Sequence, residues 1–178
     1  PEEKLLLEVL EPMFSRLTIF LAPRHPERFD AVEKLLVEKK ISFVRLSQLQ
    51  HTTGKETVIL VDAMGRLPFC YANSRLAFVG GSFTDRIGGH NVLEPCLYGC
   101  PSLFGPYMQG QRELTSHLLR AGAGRQIAAH EALSTLELFF SDPAFLVEMK
   151  QGANLLFSQG RGSAEKTISL MREKRIWQ

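Results

Sequence analysis

Cysteine is scarce in this 178-residue chain, and the three present, Cys70, Cys96 and Cys100, are an odd number. None of their spacings makes paired C-x2-C knuckles or a zinc ribbon, so no metal is expected. Cys96 and Cys100 stand four apart, which a disulfide or half a metal site could use. Small, buried, reduced thiols of a cytosolic protein are the better reading. Net charge is nearly absent as well: 21 Lys plus Arg against 19 Asp plus Glu leave +2, which gives no reason to expect nucleic acid as a partner. Any electrostatic role is local. No apolar run reaches the roughly 18 residues of a membrane span, and Glu2, Glu3 and Lys4 precede Leu5–Leu7 where an export signal would have a basic region and a long apolar core. Internal repeats, low-complexity segments and linkers are missing too. So are a Ser-His-Asp order, a P-loop and a G-x-G-x-x-G fingerprint.

What is present is ordinary globular composition, 44% hydrophobic and 22% charged, in a chain long enough for one full core. The apolar periodicity alternates. A helix over Glu2 to Phe14 leads to an apolar run at Leu17–Leu21, and a helix over Pro26 to Lys40 follows with Phe29, Val32, Leu35 and Leu36 on one face. Further strands are expected at Ile41–Leu46, Thr57–Val61, Leu76–Val79, Pro101–Phe104 and Arg125–Ala128, with short helical segments between. Strands that are apolar throughout suit burial on both faces of a parallel sheet, so the fold class is α/β, a doubly wound parallel sheet. After Ala128 the pattern turns helical over His130–Phe140, Pro143–Gln159 and Ser163–Trp177, with a turn at Gly160–Gly162. Lys166, Arg172, Lys174 and Arg175 of the last helix read as a solvated face.

In an open α/β sheet, ligands bind beyond the carboxyl ends of the strands, which singles out three loops. The richest is Val79-Gly80-Gly81-Ser82 continuing to Gly88-Gly89-His90-Asn91-Val92-Leu93-Glu94-Pro95. Glycines allow close backbone approach and positive φ, and a helix beginning near Asn91 would offer unpaired N–H groups to an anion. Asn91 and Glu94 also fit a capping box that needs no ligand; if Glu94 is functional, it accepts hydrogen bonds from sugar hydroxyls, with Asn91 beside it. The loop after the first strand holds Pro23, Arg24 and His25, where a guanidinium fork suits phosphate and pairing of Arg24 with Glu27 is the plainer alternative. In the third loop, Met64-Gly65-Arg66 could meet the edge of a base, or form only a turn over a buried Met64. His51, His117 and His130 are read as surface or core residues, and His90 as a neighbour of the glycine loop.

Ala-Pro-Arg-His-Pro-Glu-Arg-Phe at 22–29, Val-Gly-Gly-Ser at 79–82, Gly-Gly-His-Asn-x-Leu-Glu-Pro at 88–95 and Gly-Pro at 105–106 stand in this order. Together they resemble the carboxy-terminal half of 3-deoxy-D-manno-octulosonic acid (Kdo) transferases, over about residues 17–125. These are two-domain glycosyltransferases of the GT-B class that move Kdo from CMP-Kdo to lipid A precursors in lipopolysaccharide biosynthesis. The resemblance implies a Rossmann-like domain that binds CMP-Kdo without metal or other cofactor. It puts Pro23, Arg24 and His25 near the phosphate, Met64, Gly65 and Arg66 near the nucleotide, Asn91, Val92, Leu93 and Glu94 around the ribose, and Ser82 close by. It also places the general base, an acidic residue, in an amino-terminal acceptor domain outside this sequence, so that this chain alone binds donor and transfers nothing. The whole enzyme is expected at the cytoplasmic face of the inner membrane. Arg66 departs from the acidic residue common after that glycine, and Tyr107–Gln111 replaces a His-Thr-x-Asn-Phe-like run. Two other readings stay open: half of another GT-B enzyme using a UDP-sugar, and a non-catalytic nucleotide-binding or interaction module.

Overall fold

Six short strands, β1 (Ile19–Leu21), β2 (Phe43–Arg45), β3 (Val58–Leu60), β4 (Ala77–Val79), β5 (Ser102–Phe104) and β6 (Gly124–Gln126), form the centre of a computed structural model that describes residues 2–51 and 53–173. Every strand pairing is parallel, as expected, and the ladders fall into two three-stranded groups, β1-β3-β2 and β4-β5-β6. The α/β class with a doubly wound parallel sheet, expected from the sequence, is the class that forms.

Helix α1 (Glu2–Leu10) joins the two halves. Its Leu7 is buried with Val32, Leu36, Val58 and Leu60 under the first sheet, while Leu10, with Met13, packs against Leu103, Phe139 and Met149 under the second. Residues three apart on a helix point to neighbouring directions, so one turn of α1 reaches both cores. Helix α2 (Phe29–Glu38) covers the first sheet through Val32 and Leu36, one turn apart, and follows a single 3-10 turn at Pro26–Arg28. Helices α3 (Leu67–Ala72), α4 (Arg112–Arg120) and α5 (Ala132–Ser141) complete the covering layers.

Helix α6 (Ala144–Glu173) joins the two helices expected at the end of the chain and runs through Gly160–Gly162, so the turn expected there does not form. Glycine costs a helix only about 1 kcal/mol relative to alanine, and no proline stands there to stop it. The side chains of Lys166 and Arg172, and residues Lys174 and Arg175 altogether, lie outside the described residues. No helix among the described residues is long and apolar enough to cross a membrane.

Candidate functional site

The Gly80–Glu94 segment leaves β4 as an irregular loop, and its shape is set by the chain folding back on itself. Gly89 N–H donates to the Gly81 carbonyl at 2.7 Å and His90 N–H to the Gly80 carbonyl at 3.3 Å, so the two glycine pairs lie side by side. Two positions need glycine for stated reasons. Gly81 has φ +73°, and a Cβ there would lie 3.0 Å from the His90 ring; Gly89 has φ +96°, and a Cβ would lie 2.5 Å from Met108 Sδ.

One expectation about this loop fails. Val92–Glu94 is a turn followed by a 3-10 helix of four residues, Pro95–Tyr98, which Pro95 opens and Gly99, at φ +68°, ends. So short an element carries little macrodipole, and the anion-binding argument from a helix start near Asn91 does not hold. The capping-box alternative is also incomplete: Asn91 Oδ1 accepts from Leu93 N–H at 3.0 Å, a local Asx turn.

The donors of the glycine loop are turned to a carboxylate that sequence reasoning missed. Glu2, on α1, accepts from the N–H groups of Gly81 (2.6 Å), Phe83 (2.9 Å) and Thr84 (2.9 Å) and from the Thr84 hydroxyl (3.1 Å). The loop is therefore a nest of N–H groups, as its glycines suggest, but its partner lies 79 positions earlier in the sequence.

Arg24 joins the first loop to this one. Its Nη1 lies 2.6 Å from His90 Nδ1, and Pro23 beside it is buried while Arg24 and His25 are exposed. The expected alternative, Arg24 paired with Glu27, is not what forms; His25 Nδ1 lies 3.9 Å from Glu27 instead. Partial burial of His90 and the adjacent Arg24 charge lower its pKa below the usual histidine value, with Glu2 opposing and His25 adding to the shift.

Met64-Gly65-Arg66 links β3 to α3, with Gly65 at φ +74° making the turn. Met64 is 68% exposed, so the reading of a turn over a buried methionine is corrected: its side chain is an open apolar surface. The loop is anchored by Asp62, whose carboxylate accepts from Ser47 N–H (3.0 Å) and the Ser47 hydroxyl (2.6 Å) and lies 3.7 Å from Arg45. Helix α3, which follows this loop, packs on the 3-10 helix beyond Glu94, because Tyr71 stacks on Tyr98 at 6.1 Å, and the nearby Glu94 charge, after burial, raises the Tyr71 pKa.

The remaining expected residues face inward. Ser82 is fully buried; its hydroxyl donates to the Val79 carbonyl (2.6 Å) and accepts from Gly105 N–H (2.8 Å), so both its bonds stay within the fold. Val92 is fully buried among Phe104, Met108 and Leu118, and Leu93 packs partly against them. These residues shape the loop from beneath, while Asn91 is exposed and Glu94 half-exposed above. Cys70, Cys96 and Cys100 are buried and free, and burial pushes the Cys96 thiol up to about 11 and Cys100 up to about 12. Neither is poised as a nucleophile. No group of three or more His, Cys, Asp and Glu able to hold a metal ion occurs among the described residues.

A parallel α/β domain in which the loop after β1 meets the glycine turn after β4 through Arg24 has the architecture of the carboxy-terminal half of a GT-B glycosyltransferase. No family model matches the chain. Among curated proteins, it is 44% identical over 118 residues to the 3-deoxy-D-manno-octulosonic acid transferase of Chlamydophila psittaci, covering 66% of this chain and 27% of that protein. To the enzyme of the same name from Haemophilus influenzae it is 39% identical over 176 residues, covering 96% of this chain and 41% of that one. The chain thus spans less than half the length of these relatives. Among solved structures, the C-terminal CMP-Kdo binding domain of WaaA from Acinetobacter baumannii matches with a TM-score of 0.79 and 31% identity, over 86% of this chain and 81% of that one. The chain belongs to the 3-deoxy-D-manno-octulosonic acid transferase family and corresponds to its carboxy-terminal domain.

Proposed function

We propose that this chain is the donor-binding part of a glycosyltransferase that moves Kdo from CMP-Kdo to a lipid A precursor. The observation that carries the reading is the match, over most of both chains, to a domain described as CMP-Kdo binding. In this reading Arg24 meets the phosphate and takes up charge as CMP departs, which is where fixed positive charge speeds glycosyl transfer. Asn91 and Glu94 hold the ribose hydroxyls, and Met64 with the backbone at Gly65 and Arg66 packs against the base. Pro23, His25, Ser82, Val92 and Leu93 keep these groups in place.

The remaining length of the relatives would supply the acceptor-binding domain and the acidic group that deprotonates the acceptor hydroxyl. This part alone would bind donor without transferring sugar. The full protein would work at the cytoplasmic face of the inner membrane, where a lipid precursor is within reach. The chemistry assigned to this chain needs no metal, since Arg24 provides the positive charge.

Calorimetric titration of the chain with CMP and with UDP tests the reading, with Glu94→Ala as the control. The expected result is CMP binding tighter than UDP and weakened about tenfold by the substitution, the scale of one lost hydrogen bond to a charged group. Preference for UDP would move the chain's donor to a UDP-sugar. Binding of neither, with partner binding intact after Asn91→Ala and Glu94→Ala, would favour an interaction module.

A further inference from the structure

We propose that His90 is the positioning residue for Arg24: its neutral ring, protonated at Nε2, holds the guanidinium in the orientation that meets the donor phosphate. This rests on the assignment of Arg24 to the phosphate.

A guanidinium has donors and no acceptor, so the 2.6 Å contact between Arg24 Nη1 and His90 Nδ1 requires a lone pair on Nδ1. The proton of the neutral ring is then on Nε2. Protonating Nδ1 would set N–H against N–H and cation against cation. The ring cannot easily swing aside, because it lies against Gly81 so closely that a Cβ there would be 3.0 Å away, and the His90 N–H is bonded to the Gly80 carbonyl. Arg24 itself is exposed, and His90 is its one side-chain hydrogen-bond partner among the described residues.

The charged groups that act on His90 come from two elements. Arg24 and His25, in the loop after β1, add to its burial in favouring the neutral ring; Glu2, from α1, opposes them. Acid therefore converts the acceptor into a cation and releases Arg24. A histidine that bound the phosphate directly would behave in the opposite way, since its protonation would tighten an anion.

The test is calorimetry with CMP from about pH 8 to about pH 5.5, on the wild type, His90→Ala, His90→Asn and Arg24→Ala. A phosphate monoester itself titrates near pH 6, so each wild-type affinity is divided by that of His90→Asn, whose Oδ1 offers a non-titrating acceptor near the Nδ1 position. Near neutral pH, His90→Ala is expected to weaken CMP about tenfold, Arg24→Ala at least as much, and the double variant no more than Arg24→Ala alone. His90→Asn restores most of the loss, and the wild-type ratio falls about fivefold on acidification. A ratio that rises with acid, or additive effects of the two alanine substitutions, overturns the proposal. If CMP fails to bind at any pH, the donor reading fails while the positioning contact is still measurable. Nitrogen-15 spectra of the imidazole then should show an unprotonated Nδ1 that shifts in Arg24→Ala; a protonated Nδ1, or no shift, overturns it.

Discussion

Removing the Glu2 carboxylate leaves the N–H groups of Gly81, Phe83 and Thr84 without their acceptor. Because these groups are only partly buried, water can replace some of the lost bonds, and Glu2→Ala is expected to cost about 1–3 kcal/mol. The measurement is urea unfolding, in which the midpoint should fall with the slope unchanged. An unmoved midpoint would mean that the loop keeps its shape unaided. Residue identity made the other side of this contact legible, since four glycines around a polar loop have few uses besides close approach and positive φ. Glu2 was not legible. It stands 79 positions from Gly81 and reads as one of two acidic residues in a first helical turn, a sufficient explanation by itself. Ser82 and Val92 were legible as parts of the loop but not as its buried underside, because a motif gives no direction to its side chains.

Arg45 is the point where several elements are tied together. At the end of β2 it pairs with Asp30 (2.7 Å) and Glu33 of α2 and lies near Asp62, which follows β3 and fixes the Met64–Arg66 loop. Arg45→Met should lower stability by about 2 kcal/mol, since the part-buried Glu33 and the little-exposed Asp62 lose their cation. Burial alone would raise the Asp62 pKa, but the Ser47 hydrogen bonds and Arg45 outweigh it, so the carboxyl titrates below its ordinary range. A depressed folded-state pKa means stability that is complete above the ordinary carboxylate range and is lost as pH falls through the folded value. Unfolding midpoints from neutral pH down to about pH 3 should therefore decline more steeply in the wild type than in Asp62→Asn; parallel declines would contradict the assignment. Most strands were legible as elements because they are short and apolar, β6 (Gly-Arg-Gln) being the polar exception, and their parallel pairing follows from the segments between them. The grouping of the ladders in threes was not, because the alternation of strand and helix is the same with or without it. Nor was the absence of a helix near Asn91: Asn91 and Glu94 supply start signals, whereas Pro95 and Gly99 confine the helical residues to a single short turn.

At the scale of the molecule, the three loops come from β1, β3 and β4; the first and last meet directly, α1 binds the last through Glu2, and α3, which follows the Met64–Arg66 loop, packs against the 3-10 helix beyond Glu94. Arg24 reaches His90 across 66 positions, and Tyr71 reaches Tyr98 from α3. The fold class was readable from short segments of strand character alternating with helical ones, and the family from its resemblance in the order of four short motifs, three of which stand at the end of β1, β4 or β5. The contacts between the loops were not readable, because they depend on packing between elements distant in sequence. The central claim is that these loops together hold CMP. A crystal structure of the chain grown with CMP tests it most directly. The account predicts the phosphate within hydrogen-bond distance of Arg24, the ribose at Asn91 and Glu94, and the base over Met64 and Gly65. CMP seated instead along α4, in the groove of about 440 Å³ lined by Met108, Gln109, Arg112 and Arg120, would contradict it.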